Sequence, residues 1–156
     1  MSLDATAREA NFRDSIKKFF VDTFKRGEKI PLSFDTGLGK PDLKLKAMDK
    51  WMSYNWGTLS LGKMSTAFGD VYVCTRRDAE GFKLAQLRDT VVGHLIDTDQ
   101  TDGMKRIPFY RSYSDQAWDL IGGILVQEII ESAEMKGPDQ SKYKILSLKL
   151  RFASKV

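Results

Sequence analysis

One cysteine and one histidine in 156 residues rule out much of the chemistry a chain of this size can carry. A single thiol can close no internal disulfide and cannot build a cysteine-based metal site. With His94 alone, histidine-rich zinc sites are excluded, and a Ser–His–Asp arrangement would have to use that residue. Cys74 stands in an apolar, β-branched run, where a cysteine serves as a small core side chain. No serine sits in a nucleophile-elbow pattern. Gly37-Leu38-Gly39-Lys40 runs into Pro41 and Asp42 rather than into a helix, so it is no phosphate-binding loop. No apolar run approaches the roughly 20 residues that span a bilayer. The opening Met1-Ser2-Leu3-Asp4-Ala5 lacks the basic region and apolar segment of a secretory signal, so cytosolic folding is expected.

The net charge is also small, although charged residues make up 29% of the chain. A net +4 is compatible with brief contact with DNA or with an ordinary lysine-rich surface, and it is not the signature of a dedicated nucleic-acid binder. A hydrophobic content of 42% in a chain this long supports one domain, residues 1–156, with a real core.

The strongest local pattern lies in residues 65–97. Ala67-Phe68-Gly69-Asp70-Val71-Tyr72-Val73-Cys74-Thr75 is β-branched and aromatic and reads as a strand. Asp78 then stands ready to accept backbone N–H groups at the start of a helix, with Glu80 in its first turn. From Phe82, the residues Leu84, Leu87, Val91 and Leu95 recur at helical spacing and must be buried against a sheet. Upstream, Phe12, Ile16, Phe20 and Phe24 mark a helix over residues 4–25 ending near Gly27. Residues 30–35 form a short strand, placed at an edge because Pro31 has no N–H to donate. Residues 51–56 form a strand with large side chains on both faces.

Downstream, Asp97, Asp99 and Asp102 crowd a turn near Gly103, but no glutamate follows at the calcium-loop position. Residues 106–111 form another strand. Residues 118–136 are ambiguous between helix and strand. Gly137-Pro138-Asp139-Gln140 is turn chemistry, and Leu146, Leu148, Leu150 and Phe152 alternate with Ser147, Lys149 and Arg151. A long terminal hairpin is therefore expected, with Ile121, Leu125 and Ile129 on one face of its first strand. The fold class is α+β: a mostly antiparallel sheet with two helices packed on it.

An amphipathic first helix, the Ile-Pro-Leu-Ser-Phe-Asp strand, the strand bearing Trp51 and Trp56, and the Leu61-Gly62 connection follow in order. They lead to the Gly69–Thr75 strand, the helix opening Glu80-Gly81-Phe82 and two long terminal strands. This order resembles the tail terminator (minor tail) proteins of long-tailed, non-contractile bacteriophages, over nearly the whole chain. The resemblance implies a structural virion protein with no covalent chemistry and no cofactor. It implies a homohexameric ring at the head-proximal end of the tail, assembled in the host cytoplasm, with no membrane. The ring stops growth of the tube protein, meets the head connector or head-completion protein, and lets DNA pass through its channel.

Under that resemblance, Lys40, Lys44, Lys46 and Lys142 are candidates for contact with tube or connector. Trp51, Trp56, Phe109, Tyr110 and Tyr113 are candidates for the subunit interface, or else core residues. Lys149 and Arg151 are candidates to face the channel. Three alternatives remain: another head–tail connector or stopper, a nucleic-acid accessory protein using Arg76, Arg77, Lys149 and Arg151, and a small hydrolase centred on His94.

Overall fold

The computed structural model describes residues 8–37, 49–112, 118–137 and 140–153. Helix α1 (Arg8–Phe20) continues as a π-helical stretch, Val21–Gly27, so the α-helix proper stops well short of the expected end near residue 25. The wider i→i+5 turn holds Phe24 over the core, where it and Phe20 are both at 0% exposure. Helix α2 spans Phe82–Leu95. The strands are β1 (Leu32–Phe34), β2 (Lys50–Ser60), β3 (Met64–Arg76), β4 (Arg106–Ser112), β5 (Trp118–Glu131), β6 (Met135–Lys136) and β7 (Ser141–Ala153).

These strands form one sheet in the order β1-β2-β3-β7-β5-β4, with β6 pairing β7. All pairings are antiparallel except β1 with β2, so the α+β class and the predominantly antiparallel sheet are as the sequence indicates. Strand β1 lies at the edge, where Pro31 leaves no ladder bond unmade, and its carbonyl accepts the Met52 N–H at 2.9 Å. At the opposite edge, the buried Ser15 hydroxyl of α1 accepts the Tyr110 N–H at 2.8 Å and donates to its carbonyl at 3.3 Å. Helix α1 thereby occupies backbone groups that an edge strand would otherwise offer to another chain.

Both helical stripes lie on one face of the sheet. Phe12, Ile16, Phe20 and Phe24 join Leu84, Leu87, Val91 and Leu95 in a single core with Leu146, Leu148, Leu150 and Phe152. Phe152 is stacked between Phe12 and Phe109, with ring centroids at 4.8 Å and 5.3 Å. The segment 118–136 is strand through Glu131, and it pairs antiparallel with β7 to form the long terminal hairpin. Ile121 and Ile129 pack against the core on the expected face, and the middle of the strand differs. Ile124 and Val126 enter the core, and Leu125 lies on the other side. The pairing register shifts between Val126 and Glu128, which brings Ile129 back against the core and leaves Ile130 60% exposed. One bulge residue inverts the facing of everything beyond it.

Candidate functional site

The junction between β3 and α2 is built around Asp78. Arg77 and Gly81 both take left-handed backbone conformations, with φ of 57° and 75°, which turn the chain out of the sheet and into the helix. Gly81, the residue preceding the helix, has no side chain to cap it, and Asp78 takes over that role from three positions upstream. Its carboxylate accepts the Lys83 N–H at 3.1 Å, the Leu84 N–H at 2.8 Å and the Thr75 hydroxyl at 3.0 Å. Burial pushes this carboxyl up. The donors from Leu84, Lys83 and Thr75, with the charge of Lys142, outweigh burial and hold it below the usual carboxylate range.

Strand β7 begins directly beside this junction, since Arg76 pairs with Ser141. Lys142 reaches across and donates to the Ala79 carbonyl at 2.7 Å, with Glu134 at 3.9 Å from its ammonium. Between the junction and the β6–β7 turn lies a cleft of about 530 Å³. Among the described residues that line it, Arg77, Lys136 and Lys142 face the carboxylate of Asp78, with Glu134 beside Lys142. Asp78 is fully occupied by its donors, whereas the exposed Arg77 and Lys136 side chains hold no hydrogen bond or ion pair among the described residues. The cleft is therefore a cationic site suited to a carboxylate or another anionic group.

A second surface is the sheet face that the helices leave bare. Phe68, Lys149 and Glu128 lie side by side across β3, β7 and β5, and the next row carries Asp70, Ser147 and Ile130. The Ser147 hydroxyl donates to Asp70 at 2.8 Å. Phe68 is 45% exposed and Met64 50% exposed on this side, beside the 60% exposed Ile130. Towards the β7 start, Trp51 and Cys74 are buried with Tyr72 and Tyr143 packed against them, the two tyrosine rings stacked at 6.1 Å.

The residues singled out in the sequence fall in different places. Trp51 and Phe109, at 2% and 3% exposure, are spent on this chain's own packing and present no surface to a neighbour. Trp56 is half-buried, with Phe34 stacked at 6.1 Å and the Arg13 guanidinium 4.8 Å from its ring centre. Tyr110 is half-buried on the edge strand under α1. Lys142 lines the cleft, and Lys149 and Arg151 lie on the bare face. Lys40, Lys44, Lys46 and Tyr113 fall outside the described residues.

Arg76 and Arg77 do not join Lys149 and Arg151. Arg151 stands opposite Thr66, ten β3 residues before Arg76, a separation of about 33 Å along an extended strand. His94 lies at the far end of α2, bonded to Glu28 at 2.7 Å with Phe24 edge-on. Among the described residues, no group of three His, Cys, Asp or Glu side chains could hold a metal ion. Asp97 accepts the Asp99 N–H at 3.0 Å, and Asp102 accepts from Met104 and Arg106, so two of the acidic-turn carboxylates serve the turn itself. No described helix is long and apolar enough to cross a membrane.

The cleft was missed in the sequence because Arg77 and Lys136 are 59 positions apart (136 − 77) and meet through the β3–β7 and β6–β7 pairings together. No protein-family profile and no curated protein matches the chain. Among solved structures, one whose name carries no function is similar at 12% identity and a TM-score of 0.51, over 89% of this chain and 94% of that one, a likeness of fold alone.

Proposed function

We propose that the chain is a structural subunit of a long, non-contractile phage tail. It forms a six-fold ring that caps the head-proximal end of the tail tube, halts tube growth and offers a surface to the head. The reading rests on the sequence resemblance, and one observation carries it further. The helices cover a single sheet face, and the other leaves Met64, Phe68 and Ile130 exposed beside Lys149 and Arg151. Exposed apolar residues grouped on the face of long strands mark a surface meant for a partner.

In this reading the helix layer forms the outer wall. Met64, Phe68 and Ile130 meet a neighbour in the assembly, and Lys149, standing between Phe68 and Glu128, and Arg151 are the groups that meet passing DNA. Mixed charge there suits a channel, because each neutralised phosphate adds salt-dependent affinity that would slow transit. The separation of about 33 Å between the two arginine-bearing ends counts against a single phosphate-binding patch and hence against a nucleic-acid accessory role.

Adding the purified chain to polymerising tube protein should limit tube length, with rings at the tube ends in electron micrographs. Tubes that grow unchecked would refute the terminator role. If the chain then bound heads instead, it would be a connector or stopper.

A further inference from the structure

The two ends of α2 carry opposite charges. At its start lies the cationic cleft, with Arg77 and Lys136 holding no partner among the described residues. Beside it Phe82, the first residue of the helix, is 66% exposed. Just past the other end lies the acidic turn, where the exposed Asp99 carboxylate likewise holds no partner among the described residues. Beside that turn Ile96 is 40% exposed. Phe82 and Ile96 lie 14 positions apart (96 − 82), about 21 Å along a helix, so the turn cannot reach its own cleft.

This placement works against the isolated subunit. Carboxylates beyond a helix C-terminus oppose the helix dipole, and Asp97 and Asp99 stand there. The start of α2 is already served by the Asp78 carboxylate, so the unrelieved end is the C-terminal one, beyond which Asp97 and Asp99 stand. That disadvantage is relieved if the C-terminal end of one α2 meets the cationic N-terminal end of the next. The dipoles then align head to tail, carboxylate faces cation, and Ile96 and Phe82 exclude water around the pair.

We infer that the cleft formed by Arg77, Lys136 and Lys142 receives the acidic turn at residues 97–102 of a second copy of this chain. Such a contact uses two different patches on each subunit, the heterologous kind that closes into a ring when its rotation allows. The assignment rests on the ring proposed above and names the contact that closes it.

The test is a charge swap read by sedimentation velocity on the purified chain over a range of concentrations, and again on tube ends. Arg77→Glu with Lys136→Glu should raise the apparent dissociation constant at least about tenfold, because like charges then oppose at the contact. Asp99→Lys should do the same. All three changes together should return it to within about threefold of the starting protein, since opposite charges face each other again. Thermal melts guard against unfolding, because each altered side chain is exposed and unpaired. As a second measurement, carbodiimide treatment should join Lys136 of one copy to Asp99 of another.

Rings that form equally well with either patch reversed would overturn the inference and leave the ring itself standing. Reversed variants that form rings but no longer cap tubes would assign the cleft to the tube protein, which also overturns it. A starting chain that stays monomeric at every concentration and on tube ends would remove the ring, and this contact with it.

Discussion

Replacing Asp78 by Ala tests the corner on which the cleft and α2 both depend. The change orphans two helix-start N–H groups and the Thr75 hydroxyl. A side-chain cap is worth about 1 kcal/mol. The two further bonds to a charged acceptor contribute about 1.5 kcal/mol each, before water entering from the cleft offsets part of the loss. The expected cost is about 3 kcal/mol, which in a chain of this length lowers the melting temperature by about 6–12 °C.

The dependence on pH gives the sharper check. Asp78 has a folded pKa below its unfolded value, so it stabilises the fold above an unfolded pKa of about 3.9. That contribution disappears as pH falls through the lower, folded value. The stability gap between the starting protein and Asp78→Ala should therefore stay constant from about pH 8 to 5 and narrow below about pH 4. Subtracting the variant also cancels other depressed carboxylates such as Glu131. Urea unfolding monitored by circular dichroism across that range would measure it. A gap under about 1 kcal/mol at pH 7, or one unchanged at pH 3, would refute the capping role.

Two further outcomes follow from the core. A methyl group added at Gly69 would lie 3.0 Å from Tyr54 Cε2 and closer still to its phenol oxygen. Because Tyr54 is at 0% exposure between Phe20 and Trp56, Gly69→Ala should cost about 3 kcal/mol in urea unfolding, and a loss under about 0.5 kcal/mol would mean the ring can move aside. Burial pushes the Cys74 thiol up to about 12, so alkylation at pH 8 should be slow and track unfolding; rapid labelling of the native chain would contradict its place under Trp51.

Local features were legible wherever one element decides them. The alternation from Leu146 to Phe152 marks β7 and its core face, and the spacing from Leu84 to Leu95 marks α2. Asp78 signals the helix start through a bond to backbone only a few residues away. The facing of β5 was not legible between Gly122 and Gln127, because the bulges that flank this stretch arise from pairing with β4 and β7 and leave no mark in the periodicity of β5. Nor did side-chain type separate the buried Trp51 and Phe109 from the exposed Phe68 and Ile130, since burial depends on what lies across the sheet.

By itself, then, the amino-acid order marked most of the helices and strands, with residues 118–136 left ambiguous, and it settled the α+β class and the lack of an internal disulfide or a histidine-rich metal site. Only the tertiary structure decided that both helices take the same face and that Arg77 meets Lys136 and Lys142 in one cleft. Periodicity is a property of neighbours along the chain, whereas a face or a cleft is a property of strands brought into register from distant parts of it.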